Sequence, residues 1–577
     1  RDLRAENRSG SGFALKSRWN AYKLIGLKGT PFTRADLMLD AYFSRGPGVG
    51  TNMAWAGPDA NGSAFLYGLF NDKGTDVLPT GERRTYDGQN RGLALAEHAI
   101  ALNDRWTLLG EGAYQSDANF VESFYPEMAK VRREFTTELY LRRLEDNTEF
   151  TVNTKGSFND FITNEYLLQS QGYNVSKAPE LQYLRQADPL LSSWFGDVLT
   201  WTQEYRAGMM GMKFDSVTPE YRGFSNPTQS QQIFGIDPNQ TLNQSLTAQG
   251  YLPQQIFRFD TRQQVDAKIE MGPVNFVPFG VVRLTGYDHN FDQFAANTGS
   301  DETDRYRIWG STGGTLSTQI QRVNNSVDSR MFDIHRIRHI IEPSITLFTA
   351  GTNRDSSTLP TYDENVEAIA KGTSIRAGVN QIWQTQRGRP GHYYSVDVFT
   401  LDANYVDSTS GTDVRSPVGR FFDFRPELSS FGKYGNLDSA WRVTDATTLT
   451  GGTVYDFDLN QQARTSAGII VQQTPDVTAN MDFRYLNALE LTTLGGGLAY
   501  RLANQYIVTV SASYDLTSSQ LQGIGAEIKR DFQSMRLGFN IARNSISGQT
   551  SFGFTLTPRI GEARGRTPIL GEQSQVR

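Results

Sequence analysis

His335 and His339 stand four residues apart, the interval at which two imidazoles on one helical face can share a metal ion. On a strand the same two residues share a face but lie about 13 Å apart, too far for one ion. With five histidines and no cysteine in the chain, no thiolate metal set or disulfide framework is expected. "GPGVGT" (Gly46 to Thr51) has the glycines of a phosphate loop without the strand-then-helix context such a loop needs, and reads as a turn. "NRDSSTLPTYDE" (Asn353 to Glu364) spaces its acids like a calcium loop but lacks the central glycine. There is no G-x-S-x-G elbow, and acid pairs such as Asp456 and Asp458 are ordinary on a wetted strand. The chain therefore offers no assembled catalytic, cofactor or metal chemistry, and an enzyme is not expected.

The remaining chemistry is that of charge placed in a regular pattern. In "VTANMDFRYL", Val477, Ala479, Met481, Phe483 and Tyr485 alternate with Thr478, Asn480, Asp482 and Arg484. "YIVTVSASYDL", "MRLGFNIARN" and "SFGFTLTPR" repeat the alternation towards the end of the chain. Earlier, "EFTTELYLRRLEDNTEFTVNTKG" reads as a hairpin turning at Asp146–Asn147. Its expected faces are Phe135, Thr137, Leu139 and Leu141 on one side, and Glu138, Tyr140 and Arg142 on the other. Each such strand has one wet and one dry face.

The 577 residues suffice for several soluble domains or for one very large closed sheet. Apolar residues are 38% and aromatics 12%, and the net charge of −6 is dispersed, which gives no reason to expect nucleic-acid binding. No run approaches the ~20 apolar residues of a membrane helix; the most helix-like stretch, "GLALAEHAIAL" (Gly92 to Leu102), contains Glu97 and His98. Membrane strands escape such a test because they alternate. Aromatics at the ends of dry faces (Tyr485, Tyr506, Tyr514, Phe552) suit the interfaces of a bilayer. Charges at mid-strand on the other face (Glu138, Arg142, Asp482, Arg484, Arg536) suit a watery lumen, because facing lipid would cost each about 2–4 kcal/mol. A soluble all-β sandwich, propeller or β-helix is the competing reading, with its dry faces in a core.

The expected fold is all-β: a large closed antiparallel transmembrane β-barrel. At roughly 20–25 residues per strand and link it has about 24–26 strands, with short periplasmic turns and long extracellular loops. Long loops are expected at Ser157–Ser193, Asp215–Pro253, His289–Arg307 and Ala350–Thr373. A lumen this wide needs a plug, from its own loops or another protein.

Four stretches resemble a known family, the barrel domain of the lipopolysaccharide-assembly outer-membrane protein LptD. They are "ENRSGSGFALKSRW" (Glu6 to Trp19), the Arg-Gly hairpin "LDAYFSRGPGVG" (Leu39 to Gly50), "NRGLALAEHAIALNDRWTLLGEGAYQSDANFVESF" (Asn90 to Phe124) and "RIRHIIEPSITLF" (Arg336 to Phe348). The polar "YDENVEAIAKGTSIRAGVNQIWQTQRG" (Tyr362 to Gly388) follows the last of these. The resemblance implies a 26-stranded barrel in the bacterial outer membrane, a small LptE-like lipoprotein plug in the lumen, and lipopolysaccharide as cargo. It also implies periplasmic bridge proteins, met through a jelly-roll domain ahead of the barrel. The expected plan is a lead-in over residues 1–10 with that jelly roll absent, a barrel over 11–560 and a polar tail over 561–577. The family's cysteines are missing, and Gly12–Thr30 contains no proline of the kind that loosens the first strands of relatives. The alternative function is a large channel or receptor, porin-like and not specific for lipopolysaccharide.

The first and last strands of a closed barrel must pair, and no hairpin ties them. A lateral gate is therefore expected there, with Gly12, Phe13, Leu15 and Gly26 on one strand and Gly553, Phe554 and Leu556 on the other. Gly10 and Gly548 would add flexibility. The polar lining is expected at Glu138, Arg142, Asp482, Arg484 and Arg536.

Overall fold

The computed structural model describes residues 2–558, apart from 9–11, 130, 132, 164–166, 168–169, 171, 292–302, 411–431, 475, 488–489 and 503–504. The expected tail over 561–577, and Gly10, lie outside the described residues. Period-2 patterning becomes strand almost throughout, and the strands form one sheet of 28 segments paired antiparallel. Ile256–Ala267 and Ile269–Met271 both pair with Val274–Tyr287 and are one strand interrupted at Lys268. Tyr306–Thr318 and Ile320–Ser329 likewise both pair with Ile334–Thr352. Subtracting these two interruptions, 28 − 2 leaves 26 barrel strands. The sheet closes where Asp2–Arg8 pairs with Gln549–Pro558. Closure removes every sheet edge, which a sheet crossing hydrocarbon requires because an unpaired amide there costs several kcal/mol.

The alternation sorts side chains as expected. In the last strand Phe552, Phe554 and Leu556 face outward, and Phe554 is 46% exposed. Between them Gly553 and Thr555 face inward, opposite Glu6 and Arg4. Leu139 stands 53% exposed on the outer wall, while Glu138, Tyr140 and Arg142 face the lumen. Phe135 departs from the expected outer face. It precedes its strand, which starts at Thr137, takes a φ of 51° and is buried inside the lumen.

Two boundaries differ from the sequence reading. The expected lead-in contains the first barrel strand, Asp2–Arg8, whose composition is too charged for its alternation of Leu3, Ala5 and Asn7 against Arg4, Glu6 and Arg8 to stand out. The expected loop Ser157–Ser193 ends early, because Tyr173–Pro189 is a 17-residue strand. Pro179 and two bulges, at Lys177/Glu180 and Arg185/Asp188, break its alternation and hide it. The helix-like "GLALAEHAIAL" is strand as far as Ala101, in Gln89–Ala101. No described helix is long and apolar enough to cross a membrane.

The strand ends joined by the long connections lie on one rim. These connections are residues 73–88, 116–136, 157–172, 215–255, 288–305, 353–371 and 411–432. From Lys433 onward, connections on both rims shrink to turns.

Candidate functional site in the lumen and seam

Two polar lattices hold three of the long connections, 73–88, 116–136 and 353–371, against the inner wall. The first grows from the Arg-Gly pairs of the sequence. Arg45 ends a strand-to-strand turn and Arg91 faces inward on Gln89–Ala101, and both are buried. Their glycines let backbones close up: a Cβ on Gly46 would meet Phe70 O at 2.2 Å, and one on Gly92 would meet Tyr67 O at 2.6 Å. Arg45 donates to both oxygens of Asp72 at 2.9 and 2.7 Å and to Asp76 at 2.6 Å. Arg91 donates to Asp72 at 3.0 Å, to Asp76 at 2.9 Å and to both oxygens of Asp117 at 2.9 and 2.8 Å. Two cations thus hold three carboxylates, and with them connections 73–88 and 116–136. Burial alone would lower the Arg45 pKa, but its hydrogen bonds to Asp72 and the charge of Asp76 hold it above the ordinary guanidinium value. The Arg45 and Arg91 guanidinia lie 4.6 Å from Phe124 and 3.8 Å from Tyr86 respectively.

Around this lattice, the short helices Phe120–Phe124 and Pro126–Ala129 pack on inward residues of the wall, among them Met38, Phe65 and Leu95. The inner face is therefore apolar here, because a loop covers it. Residues 75–77 and 83–85 pair as a small hairpin beside the lattice. The hairpin also reaches the far side of the seam, where the Gln549 amide donates to Val77 O at 3.2 Å.

The second lattice holds the connection over residues 353–371. Arg258, fully buried, donates to Glu367 and to Glu180, each at 2.7 Å. Arg283 grips Asp260 with three hydrogen bonds of 2.9, 3.1 and 2.7 Å and donates to Asn365 O at 2.6 Å. Arg307 donates to Val366 O at 2.8 Å, and the Trp309 indole to Ala370 O at 2.9 Å. Arg206 pairs with Asp363. Burial would raise the Asp363 pKa, but Arg206, then Arg258 and Lys177, hold it below the ordinary carboxylate range. The wall residues of this set face inward by register, so the connection lies inside the barrel mouth.

The predicted lining residues are dispersed around the circumference. Glu138 lies in line with Glu111 and Glu97 on three adjacent strands and accepts from Asn153 at 2.8 Å. Arg133, from connection 116–136, bridges Glu97 and Glu111 at 2.6 Å each. Arg142 faces inward opposite Thr107 and Thr151. Asp482 and Arg484 face the lumen on the far wall, 3.4 Å from each other, with 68% of the Arg484 side chain exposed. Arg536 pairs with Asp531, with one contact of 3.0 Å. The structure does not bring these five residues together. His335 and His339 pair elsewhere: His335 with Asp328 at 2.6 Å, and His339 stacked on Trp383 at 4.2 Å. Among the described residues, no group of His, Cys, Asp and Glu could hold a metal ion.

At the seam, Leu3 faces Leu556, Ala5 faces Phe554 and Asn7 faces Phe552. Among the described residues the seam has six register pairs, against ten in the adjoining hairpin of Met535–Asn544 and Gln549–Pro558. Gly553, Phe554 and Leu556 lie on it. Gly12, Phe13 and Leu15 lie one strand further in, on Gly12–Asn20, because Asp2–Arg8 takes the first position. Gly12 and Gly26 have φ of +73° and +74° and serve turns, Gly26 just beyond the short helix Ala21–Leu24. Inside the seam Glu6 is buried against Lys16 at 2.5 Å and Arg4 at 3.2 Å.

A closed 26-strand sheet with apolar side chains outside, charge inside and its long loops on one rim is an outer-membrane β-barrel. The long-loop rim is then extracellular. Residues 89–520, about three-quarters of the chain, match the model of the family described as LptD, LPS transport system D. The chain belongs to this family, whose members are lipopolysaccharide-transport barrels of the bacterial outer membrane. Among curated proteins none matches the chain. Solved barrels align loosely. The P pilus usher (PapC) translocation pore is 10% identical at a TM-score of 0.23, with 96% of this chain and 97% of that one covered. A mutant of the Rh. blastica porin is 12% identical at a TM-score of 0.20, with 53% and 92% covered. Neither alignment is close enough to bear on function.

Proposed function

We propose that this chain is the translocon that inserts lipopolysaccharide into the outer leaflet, the sugar head travelling in the wet lumen and the acyl chains leaving through a gate in the wall. The observation that carries this reading is the family match over residues 89–520, which takes in most of the barrel wall and the whole of the second lattice. A charged sugar head cannot cross hydrocarbon unaided, so head and tails need different paths that meet at one opening. The seam between Asp2–Arg8 and Gln549–Pro558 supports a gate, since no hairpin ties it. A small LptE-like lipoprotein fits as plug, because the wall from Lys433 onward has no long loop of its own to fill the lumen. Bridge proteins would dock at the periplasmic rim through a jelly-roll domain.

The test replaces the resident barrel in cells with the full-length protein and follows lipopolysaccharide delivery to the surface. Delivery stops on depletion and a small lipoprotein co-purifies if the reading holds. A barrel that conducts ions alone, and whose loss leaves surface lipopolysaccharide unchanged, would be a porin-like channel instead.

A further inference from the structure

Three neighbouring strands place aromatic rings on the wet face. Trp309 faces inward beside Arg283, and Phe279 and Phe348 face inward on either side of Gly313. The Phe279 and Phe348 centroids are 6.2 Å apart, and those of Trp309 and Phe348 are 6.4 Å apart. A Cβ on Gly313 would lie 2.6 Å from Phe279 Cζ, so the glycine leaves room for that ring to lie across the strand. The rings border a cavity of about 540 Å³ roofed by Asn365 and Ile369 of connection 353–371.

Three guanidinia share the cavity. Arg206 is committed to Glu204 and Asp363, and Arg283 to Asp260. Arg262 differs. Its side chain bonds to Gln264, and among the described residues no carboxylate lies within ion-pair distance of it. It also sits directly opposite Arg283 on the neighbouring strand. Like charges so placed repel. An anion between them would remove the repulsion, and the planar guanidinium suits a phosphate.

We propose that this cavity is a binding subsite for a phosphorylated sugar, with Arg262 on the phosphate and Trp309, Phe279 and Phe348 against the sugar ring. A free phosphate would leave the rings uncovered, and a neutral sugar would leave Arg262 unmatched. The subsite deepens, and rests on, the reading of the lumen as the path of a glycolipid head.

The test is calorimetric titration of the full chain, in detergent with its co-purifying partner. The probes are N-acetylglucosamine 1-phosphate, N-acetylglucosamine and inorganic phosphate. The phosphosugar is expected to bind at least tenfold more tightly than either other probe. Arg262→Gln should remove the preference over N-acetylglucosamine and, independently, Phe348→Leu the preference over inorganic phosphate, with both variants resisting proteolysis like the parent. No phosphosugar binding, or an unchanged affinity in Arg262→Gln, overturns the subsite; phosphate binding as tightly as the phosphosugar overturns the sugar assignment. Surface delivery of lipopolysaccharide by the parent chain is measured alongside. A parent that delivers while Arg262→Gln binds normally sinks the subsite alone. A parent that binds the phosphosugar but delivers nothing sinks the transport reading alone.

Discussion

The wall that precedes Lys433 and the wall that follows it are built for different neighbours. The earlier wall presents large inward side chains, Arg45, Arg91, Arg258, Arg283 and Arg307, each buried under a loop of the same chain. The later wall presents Gly452, Ser466, Gly495, Gly497 and Ser511 around Asp438 and Asp482, with turns at both rims. A buried arginine needs a fixed carboxylate or carbonyl, so the earlier wall is tied to its loops. A surface of glycine and serine commits to nothing and stays open to a second molecule. The barrel is therefore self-plugged on one side and smooth on the other, and the closing seam lies where the two meet.

The contrast breaks first at Arg91. Arg91→Ala would strand Asp72, Asp76 and Asp117 with one buried cation fewer, at about 3–5 kcal/mol. The variant is expected to lose the folded, heat-shifted band on denaturing gels. Glu367→Gln should cost less, about 1.5–3 kcal/mol, through its charged bond to Arg258. Hydrogen exchange should rise over residues 353–371 and stay unchanged in the wall strands.

Acid sharpens the same point. The Asp363 pKa is held below its ordinary value in the folded chain, so its contribution is complete above that value and fades as pH falls through the folded one. Protease cleavage within 353–371 should accelerate below about pH 4, and Asp363→Asn should flatten that rise. The smallest effect belongs to the smooth wall. Arg484→Ala removes an exposed ion pair and should change stability by less than about 0.5 kcal/mol in thermal unfolding.

What was legible in the sequence follows from which interactions are local. Alternation in "MRLGFNIARN" or "VTANMDFRYL" specifies strand and face within ten residues, so the barrel, its size and the later wall could be read directly. "DLRAENR" is too polar and "YNVSKAPELQYLRQADP" too bulged for that rule, so one strand reads as a lead-in and the other as loop. The lattices join Arg45 to Asp76 and Arg258 to Glu367 across tens to a hundred residues. Spacing carries no trace of such pairs. The Arg-Gly motifs marked two of the cations without naming their carboxylates.

The central claim is that the seam opens to let lipid out. Its most direct test pairs cysteines at Ala5 and Phe554, opposite each other across the seam, in cells delivering lipopolysaccharide. A control pair at Phe539 and Phe554 lies within the last hairpin. Oxidation of the seam pair should halt surface delivery and reduction restore it, while the hairpin pair has no effect. Delivery at an undiminished rate with the seam pair fully cross-linked would contradict the account.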